Sequence, residues 1–217
     1  MNISIILTST VHIQPKGVLF QKSKEDRINS YIKPIKKWLY NSNFNIILVE
    51  NTGYTFPELE VDKKLHKDRF EIISFDERNC KEANYLEKDE GKGSSEMFAI
   101  NYAFRNSKII QNSLFVIKIT ARYYIPDLEN YLSKIDLARY DGLCQNDVNR
   151  CEMVGSRIDN FPIIFNKYLI NDKGEYDQHV ENIYKLRMSW FDDILRCNLF
   201  DIEPTQRGGV DGIFYTI

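Results

Sequence analysis

The chain has 217 residues, of which 43% are hydrophobic and 28% are charged, both near the averages of globular proteins. This composition excludes a mostly disordered chain and is sufficient for a well-formed hydrophobic core. The 29 basic residues are balanced by 31 acidic ones, and the resulting net charge of −2 argues against a dedicated nucleic-acid binder. No segment has the roughly 18 apolar residues that a membrane-spanning helix needs, so no membrane span is predicted.

The four cysteines and three histidines show no metal-ligand spacing, and no C-x-x-C pair occurs. We interpret the cysteines as free thiols of a protein in a reducing compartment, which favours a cytoplasmic location. The run Ile3–Leu7 is apolar and has no basic region before it, so it predicts a first strand rather than a signal peptide. Repeats and Pro/Gly-rich linkers are absent from the sequence, which favours a single domain over residues 1–217.

Strand and helix patterns alternate in the first part of the chain. Buried strands are predicted over Ile3–Thr8, Asn45–Glu50, Phe70–Phe75 and Leu114–Thr120. Helices are predicted over Lys24–Tyr40, which Pro34 should kink or split, and over Ser94–Asn106, with Ser94 or Ser95 near its N-cap. The polar residues 77–92 between them predict a loop. This alternation predicts an α/β fold with a mostly parallel sheet flanked by helices.

The second part of the chain is less regular. Its pattern predicts strands over Tyr140–Cys144 and Met153–Phe165, with Pro162 at an edge or break, a long helix over Gln178–Cys197, a short strand over Phe200–Ile202 and a loop over Pro204–Gly212. We interpret residues 1–124 as a nucleotide-binding front half and residues 125–217 as an acceptor-side half.

Polar residues follow the predicted strands, where ligands bind in open parallel sheets. They are Thr8, Ser9, Thr10, Glu50, Asn51, Thr52, Asp76, Glu77, Arg78, Lys118, Thr120, Arg122 and Tyr123. Hydroxyl and carboxylate groups can bracket a base and a ribose, while Lys and Arg can hold a diphosphate. The alternative interpretation is a set of solvated loops.

The stretch Gly91-Lys-Gly-Ser-Ser-Glu96 opens a predicted helix. Its glycines allow close approach of the backbone to a ligand, and a helix N-terminus offers amide donors to a phosphate. Lys92 adds a full positive charge. The stretch matches neither the P-loop nor the G-x-G-x-x-G pattern, and a polar turn is the alternative.

These motifs, together with Val49-Glu-Asn-Thr52, Phe75-Asp76 and Phe115-Val-Ile-Lys-Ile-Thr-Ala-Arg-Tyr-Tyr124, resemble those of small GT-A type glycosyltransferases. Such enzymes occur in bacterial capsule gene clusters and in large algal viruses, and they carry similar G-K-G-x-x-E and K-x-[ST]-[GA]-R-Y stretches. The resemblance spans roughly residues 3–124. It implies a transferase that takes a sugar from a nucleoside-diphosphate sugar, with UDP as the expected nucleotide, and attaches it to a hydroxyl of a glycan or glycoprotein acceptor. The expected place of action is the cytoplasm of a cell or of a virus-infected host.

The resemblance also implies roles for individual residues. Thr8, Ser9 and Thr10 would line the nucleotide pocket, and Asp76 would accept a hydrogen bond from uracil or ribose. Lys92 and the amides of Ser94 and Ser95 would face the donor sugar and its phosphates, and Lys118 and Arg122 would lie near the diphosphate. The full set predicted to bind the nucleotide sugar also includes Asn51, Gly93, Glu96 and Thr120.

GT-A enzymes usually hold Mn²⁺ or Mg²⁺ on an Asp-x-Asp signature, and this sequence has none. Lys118 and Arg122 could supply the positive charge instead. Scattered carboxylates are the other possibility, with Asp76, Glu77 or Asp211 as candidates. The fold's usual chemistry favours a metal, and Asp76 and Asp211 are the predicted ligands.

Transfer with inversion needs a carboxylate that takes the proton of the acceptor hydroxyl. Resemblance to GT-A enzymes places this base on a helix in the second half of the chain, where Glu181 is the first candidate and Asp192 and Asp193 follow. The first rival function is a nucleotidyltransferase that makes activated sugars, although residues 8–14 lack the glycines such enzymes carry after their first strand. The second is a non-catalytic module that binds a nucleotide or a sugar.

Overall fold

The computed structural model describes residues 2–12, 23–88, 92–147, 150–207 and 212–217. Its strands are β1 (Ile3–Ser9), β2 (Asn45–Glu50), β3 (Phe70–Ser74), β4 (Phe115–Thr120), β5 (Gly142–Gln145), β6 (Met153–Arg157), β7 (Ile194–Cys197), β8 (Asp201–Gln206) and β9 (Ile213–Thr216). Its α-helices are α1 (Lys24–Asn41), α2 (Glu60–Leu65), α3 (Lys92–Asn106), α4 (Leu128–Leu132), α5 (Phe161–Ile164) and α6 (Val180–Met188). Short 3₁₀ turns connect several of them.

Within the described residues, seven strands form one sheet in the order β3-β2-β1-β4-β6-β5-β7. Neighbouring strands from β3 to β4 are parallel, β6 runs antiparallel to both β4 and β5, and β7 runs parallel to β5. Strands β8 and β9 form a separate antiparallel pair. The expected α/β fold with a mostly parallel sheet is confirmed.

The hydrophobic core lies on both faces of the sheet because successive side chains of a strand point to opposite sides. Ile5 and Leu7 of β1 face one layer, which α1 covers, and Ile6 faces the other, which α3, α5 and α6 cover. In β4, Lys118 alternates with Ile117 and Ile119, so its side chain enters the α3 layer. There it is only 1% exposed, although it is charged.

Helix α1 begins with Ser23, whose hydroxyl accepts a hydrogen bond from the Asp26 amide at 3.0 Å. Its buried stripe includes Trp38, whose indole N–H donates to the Tyr123 carbonyl at 2.8 Å and so fixes the helix to the end of β4. Arg27 lies in the same stripe, only 4% exposed. The helix is continuous through Pro34, so the predicted split does not occur.

The predicted helix over Gln178–Cys197 is wrong in its second part. Helix α6 ends at Met188, and Ile194–Cys197 form β7 beside β5. The Ser189 amide is shared between the carbonyls of Lys185 and Leu186, and the Trp190 amide bonds to the Arg187 carbonyl three residues back, which tightens and ends the helix. Apolar residues suited to a helix then pair with a sheet edge, which is a long-range contact that local periodicity does not contain.

The predicted strand over Met153–Phe165 ends at Arg157 and is followed by a 3₁₀ turn and helix α5. Pro162 lies in the first turn of that helix, where its missing N–H costs nothing, rather than at a strand edge. Part of the predicted tail loop is also strand, since β8 continues to Gln206. Residues 208–211 lie outside the described residues.

The structure differs from two predictions around the start of α3. The segment predicted as a loop contains 3₁₀ turns over Glu77–Asn79 and Lys81–Lys88. Helix α3 is already present at Lys92, so Ser94 and Ser95 lie inside its first turn and are not its N-cap. Both serines are buried, because they face neighbouring elements of the core.

Candidate active site

A cleft of about 440 Å³ opens where the carboxyl ends of β1, β2 and β4 meet the first turns of α3 and α6. It is lined by Thr8, Ser9, Thr10, Arg27, Tyr31, Asn51, Lys92, Gly93, Ser95, Glu96, Ala99, Lys118, Thr120, Arg122, Tyr123, Cys151, Glu152, Gln178, Val180, Glu181 and Arg207. This is the sheet edge at which the strand-end residues were expected to converge.

The cleft brings together most of the residues predicted to bind a nucleotide sugar. Thr8, Ser9, Thr10, Asn51, Lys92, Gly93, Ser95, Glu96, Lys118, Thr120 and Arg122 all line it, and so does the predicted base Glu181. Asp76 does not line the cleft. Asp192 and Asp193 are exposed in the turn after α6 and do not line it either. Asp211 lies outside the described residues.

A chain of polar side chains ties four elements together along one wall. The Thr10 hydroxyl donates to Asn51 Oδ1 at 2.8 Å, and the Asn51 amide donates to Glu77 Oε2 at 3.0 Å. The Ser95 hydroxyl donates to the other Glu77 oxygen, Oε1, at 2.9 Å. The ends of β1 and β2, the turn after β3 and the first turn of α3 are therefore held in one arrangement by the buried Glu77 carboxylate.

A second buried carboxylate, Glu50, shapes the loops at the edge of the cleft. It is fully buried and accepts backbone hydrogen bonds from Val11, Thr52 and Tyr54, each at 2.8–2.9 Å. Such bonds satisfy the carboxylate and the orphan amides of two loops at once. Glu50, predicted as a strand-end ligand candidate, thus holds the loops and does not line the cleft.

Lys118 is paired within the protein. Its ammonium lies 2.9 Å from Glu96 Oε1 and donates to the Cys151 carbonyl at 2.9 Å, while the Thr8 hydroxyl donates to the same Glu96 oxygen at 2.7 Å. Burial lowers the pKa of Lys118, but Glu96 outweighs this and holds the pKa above its ordinary value. Lys118 and Glu96 therefore form an ion pair across the cleft floor.

Arg27 and Arg122 form a pair of buried guanidinium groups, here called the arginine pair. Arg27 Nε donates to the Thr10 carbonyl at 2.6 Å, and Nη2 of each arginine lies within 3.5 Å of the Tyr31 hydroxyl. Arg122 is 8% exposed, and its Nε and Nη1 atoms have no hydrogen-bond partner among the described residues. An unsatisfied buried cation costs stability unless a ligand completes it.

The arginine pair affects Lys92 at the start of α3. Partial burial, followed by repulsion from Arg27 and Arg122, lowers the pKa of Lys92 below its ordinary value of 10.5. Three basic residues from α1, α3 and the end of β4 thus act on the same region of the cleft. A bound anion would relieve this repulsion, and the first turn of α3 adds the partial positive charge of a helix N-terminus.

Gly93 lets α3 and α6 approach each other closely. A Cβ atom at Gly93 would lie 2.9 Å from Val180 Cβ, closer than side-chain atoms pack. Val180 precedes Glu181, so this contact sets the position of Glu181 at the opposite side of the cleft. The structural reason for a glycine here is the approach of a second helix rather than a turn.

Replacing Gly93 with Ala is therefore expected to lower stability by about 1–3 kcal/mol, the usual cost of overpacking. The added methyl group should also push on Val180, which precedes Glu181 in α6. Urea denaturation measures the change in the free energy of unfolding. Gly212→Ala is the control, because no atom lies within 4 Å of the methyl group added there and its φ is not in the left-handed region. A stability of Gly93→Ala equal to that of the wild type would contradict this account of the glycine.

Asp76 has a structural role in this chain. Its carboxylate accepts hydrogen bonds from Arg78 Nε and Nη2 at 3.0 and 2.9 Å and from the Asn79 amide at 2.9 Å. These hydrogen bonds hold the pKa of Asp76 below its ordinary value. Asp76 caps the 3₁₀ turn Glu77–Asn79, which explains its place beside the cleft and not in its lining.

The described residues do not bring three His, Cys, Asp or Glu side chains together as a metal site. Of the two predicted ligands, Asp76 is engaged by Arg78 and Asn79, and Asp211 is not described. At the end of β4 the cleft is lined by Lys118, Thr120 and Arg122, none of which is a carboxylate. The donor set that is described does not fit a divalent cation, and a metal held with the help of Asp211 remains a prediction.

A further wall of the cleft, which was not predicted, is formed by Glu152 and Arg207, with Arg150 beside Glu152. Glu152 is 7% exposed, and its Oε1 lies 3.7 Å from Arg207 and 3.8 Å from Arg150. Both guanidinium groups contact the ring of Phe214 in β9, with Cζ 4.3 Å from the ring centroid for Arg150 and 5.0 Å for Arg207. The β8–β9 pair is thereby attached to the rim of the cleft.

Cys151 also lines the cleft, and burial raises the pKa of its thiol above the ordinary value, so the thiol stays protonated. All four cysteines are free thiols in the structure, as predicted.

In the described part of the chain, no helix is long and apolar enough to cross a membrane.

Neither a sequence-family profile nor a curated protein matches the chain. Solved structures do match it. An active-site mutant of LgtC has a TM-score of 0.53 at 9% identity, over 90% of this chain and 72% of that chain. Residues 1–349 of Staphylococcus aureus TarS have a TM-score of 0.52 at 12% identity, over 91% of this chain and 58% of that one.

A further match is the bifunctional glycosyltransferase WbbM, with a TM-score of 0.51 at 11% identity, over 90% of this chain and 38% of that one. This chain thus spans less than two thirds of the TarS and WbbM structures. At identities this low, the structural similarity shows the fold alone, and that fold is the predicted GT-A type. None of these comparisons links the chain to capsule gene clusters or viruses, so that part of the resemblance remains a prediction.

Proposed function

We propose that the protein is a glycosyltransferase that moves a sugar from a nucleoside-diphosphate sugar, with UDP as the nucleotide, to a hydroxyl group of a glycan acceptor. One observation carries the proposal: Arg122 is buried, lines the cleft at the carboxyl ends of the parallel strands, and has two unpartnered nitrogen atoms. A planar guanidinium with free donors is suited to two-pronged binding of a phosphate. The shared fold with glycosyltransferase structures supports the same assignment.

The proposed donor site extends from the arginine pair to the first strand. Thr8, Ser9 and Thr10 would line the nucleoside end, and Lys92 and the first turn of α3 would face the phosphates. Asn51 and Ser95 line this wall and are fixed by Glu77, so the nucleoside side is ordered before a ligand arrives. Preorganised polar groups of this kind reduce the entropy lost on binding.

Glu181 is the proposed general base of the acceptor side. It lies in the first turn of α6 and lines the cleft, whereas the other two candidates, Asp192 and Asp193, are exposed outside it. Glu96 is engaged by Lys118 and Thr8, and Glu152 lies beside two guanidinium groups. Glu181 makes no ion pair within 4 Å in the described part of the chain, which suits a carboxylate that must accept a proton.

The proposed reaction balances as a displacement at the anomeric carbon. The acceptor oxygen forms a bond to that carbon and gives its proton to Glu181. The bond from the anomeric carbon to the diphosphate oxygen breaks, and its electron pair remains on the diphosphate. Arg122 and its neighbours would stabilise the charge that develops there.

The free thiols are compatible with a reducing compartment, and we propose the cytoplasm as the place of action.

The proposal is tested by thermal shift and by transfer assays with UDP, GDP, CMP, ATP and their sugar conjugates. A ligand at 100 times its dissociation constant stabilises by about 2.7 kcal/mol, which raises the melting temperature by several degrees in a chain of this size. A shift with UDP-sugars followed by sugar transfer supports the proposal. A shift with a nucleoside triphosphate, together with release of pyrophosphate, would favour a nucleotidyltransferase. Binding of a sugar nucleotide without any turnover would favour a non-catalytic module.

Replacing Arg122 with Met should weaken UDP binding by about 1.5–3 kcal/mol, since a hydrogen bond to a charged group is lost from a buried position. Isothermal titration calorimetry measures the change directly. Arg139→Met is the matched control because Arg139 is exposed and does not line the cleft. Equal affinities in the two variants would remove Arg122 from the donor site.

A further inference from the structure

We propose that the arginine pair, assisted by Lys92, neutralises the donor's diphosphate in place of a divalent metal ion, so that neither binding nor transfer requires one. This inference rests on the proposed function, because it concerns how the same cleft would hold a nucleotide sugar. It departs from the metal-binding chemistry that the fold otherwise leads us to expect.

The first argument is the state of the acidic groups near the cleft. Glu96 is bound by Lys118 and Thr8. Glu152 Oε1 lies 3.7 and 3.8 Å from two guanidinium groups, and Glu152 Oε2 has no hydrogen-bond partner among the described residues. Outside the lining, Glu77 accepts from two neutral donors and Asp76 is engaged by Arg78. Among the described lining residues, this leaves Glu181 on the acceptor side and the Oε2 atom of Glu152. The two guanidinium groups near Glu152 would repel a divalent cation there, and Glu181 alone is a poor anchor for a cation on the diphosphate.

The second argument is charge. Arg27 and Arg122 are 4% and 8% exposed, and neither makes an ion pair within 4 Å in the part of the chain that is described. Two buried positive charges without a carboxylate match the two negative charges of a nucleoside-diphosphate sugar. A divalent cation in the same region would add to the positive charge and be repelled. The effect of the pair on the pKa of Lys92 shows that it acts at the start of α3.

The third argument is geometry. The arginines come from different elements, α1 and the end of β4, and meet at the Tyr31 hydroxyl, which lies 3.4 Å from Arg27 Nη2 and 3.5 Å from Arg122 Nη2. Tyr31 is 1% exposed and also donates to the Thr10 carbonyl at 3.3 Å, so both guanidinium groups have a fixed support. A diphosphate oxygen that took the unpartnered Arg122 atoms would satisfy buried donors that now lack a partner.

The test is calorimetric titration of the intact wild-type protein with UDP and with inorganic pyrophosphate, in EDTA and then in Mn²⁺. We expect UDP affinities within about threefold of each other under the two conditions. In EDTA, Arg27→Met and Arg122→Met should each weaken UDP binding by about 10- to 100-fold, corresponding to one or two factors of ten at 1.4 kcal/mol each. Arg139→Met should bind like the wild type.

A second readout separates this role from a merely structural one. If the pair is repulsive until an anion binds, Arg122→Met should melt at a higher temperature than the wild type without ligand, and pyrophosphate should raise the melting temperature less in the variant. If Arg122 has only a structural role, Arg122→Met should instead melt at a lower temperature than the wild type without ligand. If Arg122→Met does not fold, Arg122→Lys and the wild-type comparison in EDTA still decide the question.

Binding of UDP that disappears in EDTA and returns with Mn²⁺ would overturn the inference and leave the proposed glycosyltransferase function intact. The absence of binding and transfer with every sugar nucleotide in both conditions would instead overturn the proposed function. Transfer in EDTA at a rate close to that in Mn²⁺ supports both. Titration with Mn²⁺ alone completes the design, since heat from a specific Mn²⁺ site would contradict metal independence.

Discussion

Replacing Glu181 with Gln is expected to slow sugar transfer by about 10²–10⁴-fold, the usual contribution of a general base, while UDP binds as before. Gln keeps the size and most of the hydrogen bonding of the side chain but cannot take the acceptor proton. Steady-state kinetics should therefore show a lower kcat, and calorimetry an unchanged Kd for UDP. The result would separate the acceptor side of the cleft from the arginine pair.

Asp192→Asn is the matched control for this experiment. Asp192 is a carboxylate only eleven positions further along the chain, but it is exposed and does not line the cleft. It should transfer sugar at the wild-type rate. Normal turnover in Glu181→Gln would show that another group takes the proton, and a loss confined to Asp192→Asn would move the catalytic site to the turn after α6.

Replacing Lys118 with Met should lower the free energy of unfolding by about 3 kcal/mol, the lower end of the range for breaking a buried ion pair. The lower end applies because the Glu96 side chain is 24% exposed, so water can partly solvate the carboxylate that loses its partner. The Cys151 carbonyl loses a donor as well. Urea denaturation, monitored by far-UV circular dichroism, measures the difference.

The double variant Lys118→Met/Glu96→Gln tests the cause of that loss. Because it removes both charges, it should recover part of the stability lost by Lys118→Met alone, which gives a favourable coupling energy between the two positions. The surface pair Arg105–Glu82, with side chains 48% and 56% exposed, is the control, and Arg105→Met should cost less than about 1 kcal/mol. A double variant no more stable than Lys118→Met would mean that the lysine acts through packing.

The front half of the fold was predictable because its signals are local. Strands such as Asn45–Glu50 are short β-branched and apolar runs, and the order of the elements alone implies a parallel sheet. The same topology predicted which strand ends converge, and most of the candidate residues do line one cleft. For the second half, the prediction failed where the local pattern and the pairing of strands compete. Ile194–Cys197 are an example, because they pair with β5 although their apolar spacing suits a helix.

Several features of the site depend on contacts that no local pattern contains. Arg27 carried a usable signal, since it precedes Ile28 and Tyr31 in the apolar stripe of α1, and a charged residue in such a stripe invites a functional explanation. Glu152 carried none, because its distant neighbour Arg207 is brought to it by the β8–β9 pair. The predicted role of Lys118 as a diphosphate ligand could not be weighed against its pairing with Glu96 until both side chains were placed.

The three consecutive hydroxyl groups at the end of β1 all donate their hydrogen bonds to acceptors within the protein. Thr8 donates to Glu96 at 2.7 Å, Ser9 to the Val49 carbonyl at 2.9 Å, and Thr10 to Asn51 at 2.8 Å. Each oxygen therefore presents only lone pairs to the cleft, as each hydroxyl has a single hydrogen. A ligand bound against this strand must therefore supply the N–H or O–H donors. An analogue whose donors are blocked by O-methylation or N-methylation could not form hydrogen bonds to these three oxygen atoms.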